Sequence, residues 1–345
     1  MAINIGFAGT YTREESDGIY QFELDTDRQI LQKRKLVSEV GNPTYLTIAD
    51  SGCYLYSVAQ ENDLGGVHAY EINHDNLVLK KVSSQLTEGK PPCHLSVNEN
   101  ELITSNYHKG TVEVYNVDDQ GNLNSLSSVT HEGNGPHQRQ EKSHVHYAGF
   151  SPDGKYIFAC DLGADEVITY TLKNEGLLHV STLKVKKGSG PRHMVFHPNG
   201  KYAFLITELS SEVILLTYDE NTGIFTEKQY IKTIPNDFTD VNDASAIHIS
   251  SDGRFVYTGN RGHNSIAVFQ VDEKTMELSL IERVSSSGEW PRDFVLDPSE
   301  SYIVVSNQHT GNVVLFARDK KTGKLTKTNS EISVPEVVCV KFMPR

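Results

Sequence analysis

The sequence predicts an all-β fold, a seven-bladed β-propeller whose N- and C-terminal strands close the last blade. Three observations carry this prediction. A tight-turn segment recurs along the 345 residues, the residues flanking it alternate with period two, and each chain end holds half of the same unit.

The turn recurs in PTYLTIADSGCYLYSVAQ from Pro43, VHYAGFSPDGKYIFACDL from Val145, PRHMVFHPNGKYAFLITE from Pro191, ASAIHISSDGRFVYTGNR from Ala244 and PRDFVLDPSESYIVVSNQ from Pro291, with a degenerate copy, PPCHLSVNENELITSNY, from Pro91. Successive copies start roughly 45 to 55 residues apart, the period of four-stranded propeller blades. Each copy leads into a second hairpin, such as EVITYTLKNEGLLHVSTLKV from Glu166. Aromatic and β-branched residues alternate with polar ones, and Asp-Gly, Asn-Gly and Glu-Gly separate the runs, so the elements are antiparallel strands, A to D in each repeat. Helical periodicity is missing. VPEVVCVKFMP at the C-terminal end reads as a strand A without its B, and INIGFAGT near the N-terminus as a B without its A. Together they complete a seventh blade, leaving no open sheet edge around the ring. Residues 1–345 are thus expected to form one domain.

A formal net charge of -13 argues against a nucleic-acid partner or an acidic membrane surface. The N-terminus has no basic start followed by a long apolar run, and no segment has the apolar length of a membrane span. Cys53, Cys93, Cys160 and Cys339 form no C-x-x-C pair, and are expected to be reduced, mostly buried thiols in a cytoplasmic protein.

Strand A starts and strand B ends on the same rim of the propeller channel, which turns sequence columns into neighbours. The column at the start of A reads Thr44, His146, Arg192, Ser245 and Arg292; that at the end of B reads Gln60, Tyr107, Glu208, Arg261 and Gln308, preceded by Asn106, Asp161, Asn260 and Asn307. Such convergent polar residues make a small-molecule site. The bland alternative is that Arg192, Arg261 and Arg292 only satisfy acids such as Glu208 and Asp161. Two long connections, THEGNGPHQRQEKSH from Thr130 and KTIPNDFTDVNDASA from Lys232, hang over this rim and read as lids or binding loops, or as mobile surface loops.

The segment PRHMVFHPNGKYAFLITELSSEV, with SHVHYAGFSPDG before it and AIHISSDGRFVYTGNRGHNSIAVFQV and EWPRDFVLDP after it, resembles the seven-bladed propeller lactonase family, which includes the bacterial 6-phosphogluconolactonases; the fungal carboxy-muconate lactonizing enzymes resemble it more distantly. The resemblance spans all blades and is weakest in the second. It implies a metal-independent enzyme with no cofactor, whose reacting residues match His146, Arg192, Glu208 and Arg261 here. The implied substrate is a small anionic lactone, 6-phospho-D-glucono-1,5-lactone, opened to 6-phosphogluconate in the pentose phosphate pathway. No nucleic acid or membrane partner is expected, and the chain reads as a monomer or weak homo-oligomer.

His144 and His146 could point two rings to one side as zinc ligands, but the arginines sharing the rim repel a cation. His146 suits acid/base work because imidazole titrates near neutrality. His137, His193, His197, His248 and His263 are expected to be mostly structural or to support the site residues from behind, with His193 facing away from Arg192 along the strand. In the expected reaction His146 or Glu208 deprotonates water, which attacks the lactone carbonyl while Arg192 or Arg261 stabilises the oxyanion. No G-x-S-x-G nucleophile is present. Arg292, His144 and the remaining arginine are expected to hold a phosphate, with Asp161, Asn260, Asn307 and Gln308 completing the substrate site. The rival functions are a hydrolase or cycloisomerase for another lactone, of gluconolactone or muconate type, and a non-catalytic binding propeller.

Overall fold

A computed structural model describes residues 3–344, and every regular element within them is a strand. The strands form seven antiparallel four-stranded sheets, the blades of a seven-bladed β-propeller. Six blades use four consecutive strands each. The seventh begins with the last strand of the chain: Val337–Phe342 pairs with Ile3–Thr10, followed by Gly18–Asp25 and Ile30–Glu39. Gly6 lies opposite Phe342 and Ala8 opposite Val340. The two half-units at the chain ends therefore meet as expected.

Packing divides the chain into two compact units, one of residues up to 102, 115–125 and from 285 on, the other of residues 103–114 and 126–284. In the first, Phe7 and Cys339 pack with Ile19, Leu46 and Leu55, whereas their chain neighbours Ala8 and Val340 pack with Phe22, Leu24 and Leu315. In the second, Phe204 and Ile206 join Val256 and Phe269, while Ala203 and Leu205 join Phe158 and Leu216. Successive side chains of a strand point to opposite faces. Here both faces are covered, which is why the middle strands read as near-continuous apolar runs. Burying each such Phe or Leu contributes about 1.5–3 kcal/mol.

The ends of strands A and B lie side by side, as the columns require. Val145 pairs with Asp161 and Pro191 with Thr207 in the second unit; Pro291 pairs with Asn307 in the first. In all three the register then slips by one. The next pairs are Tyr147 with Cys160, His193 with Ile206 and Asp293 with Ser306. His146, Arg192 and Arg292 are thus each the extra residue of a β-bulge. A bulge bends its strand and re-aims the side chain. In the fifth blade the irregularity falls between Ala244 and Ile247.

None of the four cysteines is in a disulfide; Cys160 and Cys339 are buried, Cys93 is half-buried and Cys53 is exposed. The expectation of mostly buried thiols holds for two. Among the described residues no helix is long and apolar enough to cross a membrane.

Candidate active site

The second unit gathers four basic side chains, Arg139, His146, Arg192 and Arg261, around one carboxylate. Glu208 follows strand B of the fourth blade, Tyr202–Thr207, and its backbone is fixed on both sides: its N–H donates to the Gly190 carbonyl at 2.7 Å and its carbonyl accepts from Ala244 N–H at 3.2 Å. Its side chain is 2% exposed. Oε2 accepts from Arg192 Nε at 2.8 Å, forms an ion pair with Arg261 Nη2 at 2.7 Å and lies 4.0 Å from His146 Nε2. Oε1 is held by Arg139 Nη2. Burial opposes the charge on Glu208, but Arg261, Arg192, His146 and Arg139 overcome it and hold the carboxyl well below its ordinary range.

Arg192 and Arg261 are also bolted to the backbone that starts the fifth blade. Arg192 Nη1 donates to Ser245 O at 2.6 Å, Arg261 Nε to Asp243 O at 3.1 Å and Arg261 Nη2 to Ala244 O at 3.0 Å. Three successive carbonyls of the irregular segment thus receive guanidinium donors. The two arginines carry two positive charges against one shared carboxylate, so the centre has a positive surplus in a chain that is acidic overall.

The site includes His193, against expectation. A regular strand would send it away from Arg192, but the bulge breaks the alternation. Its Nε2 lies 3.3 Å from Arg192 Nη1, and its ring meets His146 edge to face at 5.2 Å. Tyr107 stacks on His144 at 4.1 Å and meets His146 edge to face at 6.0 Å. His144 has both ring nitrogens engaged, Nδ1 with Tyr107 O at 2.8 Å and Nε2 with Glu141 at 3.1 Å. It supports Tyr107.

Sequence reasoning missed Arg139 and Asp243, which pair at 2.9 Å across the two long loops. The signal was a basic residue in a loop already marked as lying over the rim. That loop is tied down by buried hydrogen bonds. Gln140, fully buried, donates to Leu162 O at 2.8 Å; His131 lies 3.1 Å from Asp161 Oδ2 and 2.9 Å from the Tyr170 hydroxyl. Gly163 lets the loop approach: a Cβ there would sit 1.9 Å from Lys142 O.

Asp161 and Asn260, expected to meet substrate, hold these loops. Asp161 Oδ1 accepts the N–H groups of His144, Gly163 and Ala164 at 2.9–3.0 Å. Asn260 Oδ1 accepts from the Thr233 hydroxyl at 2.6 Å and its Nδ2 donates to Thr233 O at 3.3 Å. Both are fully buried, where a short polar side chain satisfies the backbone beside it. Asn307 does the same in the first unit, donating to Ser286 O at 3.1 Å. Arg292 and Gln308 also belong to that unit. Arg292 lies 5.6 Å from the Tyr11 ring centroid, and Gln308 N–H donates to Trp290 O at 3.1 Å.

A β-propeller that gathers a buried carboxylate, guanidinium groups and an imidazole holds side chains of the kind that acyl-transfer chemistry uses. Residues 5–342 match the family described as lactonase, 7-bladed beta-propeller; the chain belongs to that family and is a lactonase. It is 50% identical to the 6-phosphogluconolactonase of Bacillus subtilis (strain 168) over 99% of both chains. A solved structure of a Lactobacillus plantarum protein is 43% identical with a TM-score of 0.95, covering 99% of each chain. The periplasmic gluconolactonase of Pseudomonas aeruginosa is 31% identical with a TM-score of 0.94, again over 99% of each chain.

Proposed function

We propose that the protein hydrolyses a sugar-acid δ-lactone, 6-phospho-D-glucono-1,5-lactone, to 6-phosphogluconate, as a cytoplasmic, metal-independent step of the pentose phosphate pathway. The reading rests on one observation, a buried carboxylate oxygen, Glu208 Oε2, contacted by Arg192 and Arg261 with His146 4.0 Å away. The names of the Bacillus and Pseudomonas relatives support a sugar lactone. The higher identity to the phosphogluconolactonase, together with the positive surplus of the centre, favours the phosphorylated one.

Glu208 is a poor base because its arginine neighbours depress its proton affinity. His146 takes the role. Water held between His146 and Glu208 gives its proton to the imidazole and attacks the lactone carbonyl carbon. The Glu208 anion stabilises the imidazolium. The tetrahedral oxyanion faces the positive surplus of Arg192 and Arg261, preplaced by their bonds to the fifth blade. Collapse breaks the bond to the ring oxygen, which takes the proton back from His146 and becomes the free hydroxyl of the acid. The guanidinium groups that share Glu208 with His146 disfavour a cation there.

The test is turnover of freshly generated 6-phosphogluconolactone, gluconolactone and muconates by wild type and His146→Ala, with and without chelator. The reading expects preference for the phosphorylated lactone, loss in the variant and indifference to chelator. A muconate preference or chelator-sensitive turnover overturns it.

A further inference from the structure

We propose that Arg139 is the residue that reads the phosphate of the substrate, and that Asp243 is its internal counter-ion, displaced when the phosphate binds. The inference rests on the proposed function and adds a residue that the sequence columns do not contain.

Three guanidinium groups meet at Glu208, and they are not equivalent. Arg192 and Arg261 have side chains 3% and 5% exposed and are tied to the carbonyls of Asp243, Ala244 and Ser245. Moving either would strand buried carbonyl oxygens. Arg139 comes from a loop, its side chain is 35% exposed, and every partner described for it is a side chain: Glu208, Asp243 and the Tyr107 phenol. Burial works against its charge, but Glu208 and then Asp243 hold it cationic. The planar fork of arginine suits bidentate binding of a phosphate.

The two acids beside it also differ. Glu208 is buried among three cations, whereas Asp243 is 18% exposed and Arg139 is the one cation described as pairing with its side chain. The Arg139–Asp243 pair is therefore the exchangeable one. A neutral lactone ring cannot displace a carboxylate from a guanidinium; a phosphate carrying up to two negative charges can, because its attraction to the same cation is larger. The loop is braced by Gln140 and His131, so Arg139 is presented from a fixed base while its own side chain reaches the solvent side of the centre.

The experiment measures kcat and KM for 6-phosphogluconolactone and gluconolactone with wild type, Arg139→Ala, Arg139→Lys and Asp243→Asn, and titrates inorganic phosphate into each protein by calorimetry. Arg139→Ala is expected to raise KM for the phosphorylated lactone at least tenfold, with that for gluconolactone little changed. Arg139→Lys should recover part of the loss, and Asp243→Asn should tighten phosphate binding by removing its competitor. Equal effects of Arg139→Ala on both lactones, or a fall in kcat alone, overturn the proposal and place Arg139 at the carbonyl. Phosphate binding unchanged in all variants overturns it too. If wild type binds phosphate through Arg139 yet opens neither sugar lactone, the proposed function fails and the phosphate site stands. If Arg139→Ala misfolds, the Lys and Asn variants carry the test.

Discussion

Arg192 and His193 are neighbours in the chain, yet Arg192 Nη1 and His193 Nε2 lie 3.3 Å apart. The β-bulge at Arg192 is the cause, since it puts an extra residue into the strand and cancels the alternation that would separate the two side chains. The same bulge recurs at His146, so two of the residues around Glu208 are aimed by backbone irregularity.

His146→Gln, which keeps most of the volume of the ring, should lower kcat roughly 10²–10⁴-fold with KM nearly unchanged. The limb of the pH–rate profile that reports the base should vanish with it. A variant retaining both the rate and the limb removes His146 from proton transfer.

Glu208→Gln should cost about 3–5 kcal/mol of stability, because three arginines would lose the charge that compensates them inside the protein. Urea unfolding of the variant beside wild type reads the loss. A cost below 1 kcal/mol would mean that the arginines find other partners.

Acid should weaken the protein in two separable windows. His68 is buried, and burial, followed by Lys81, pushes its pKa down from 6.5 to about 4, against the opposing pull of Glu61. The unfolded state then binds more protons than the folded one between those values, so the contribution of His68 is full above pH 6.5 and falls as pH drops toward 4. Glu208 acts lower. Its folded pKa lies well below the ordinary 4.5, so its contribution is present above 4.5 and is lost as pH falls through the folded value. Unfolding midpoints against pH should show His68→Gln flattening the upper window and Glu208→Gln the lower.

Gly163→Ala should push the Lys142–His144 backbone outward, since the added Cβ would stand 1.9 Å from Lys142 O and 2.7 Å from His144 N. A loss of about 1–3 kcal/mol is expected for such overpacking. Turnover should fall further than stability implies, because the same loop carries Arg139. Full activity in a destabilised variant would separate the loop from the site.

The blade count, the closure by the chain ends and the strand-end positions of His146, Arg192, Glu208 and Arg261 could be read from the sequence, because a repeated turn and a period-two alternation are local properties of the chain. Arg139 could not be read, since its place depends on how a fourteen-residue-scale loop folds back against Gln140 and Leu162, contacts with no periodic signature. Asp161 and Asn260 were visible as polar residues at strand ends. Whether such a residue faces a ligand or its own loop is decided by where the neighbouring loop runs.

The sequence by itself determined the fold, because short-range alternation and turn chemistry specify strands and their order, and its resemblance to the propeller lactonases pointed to the enzyme family. The tertiary structure decided the directions and partners of the side chains. It aimed His146 and Arg192 through bulges, turned His193 inward, set Arg139 against Glu208 and Asp243, and left Glu208 anionic, because charge states and side-chain directions depend on burial and on neighbours distant in the chain.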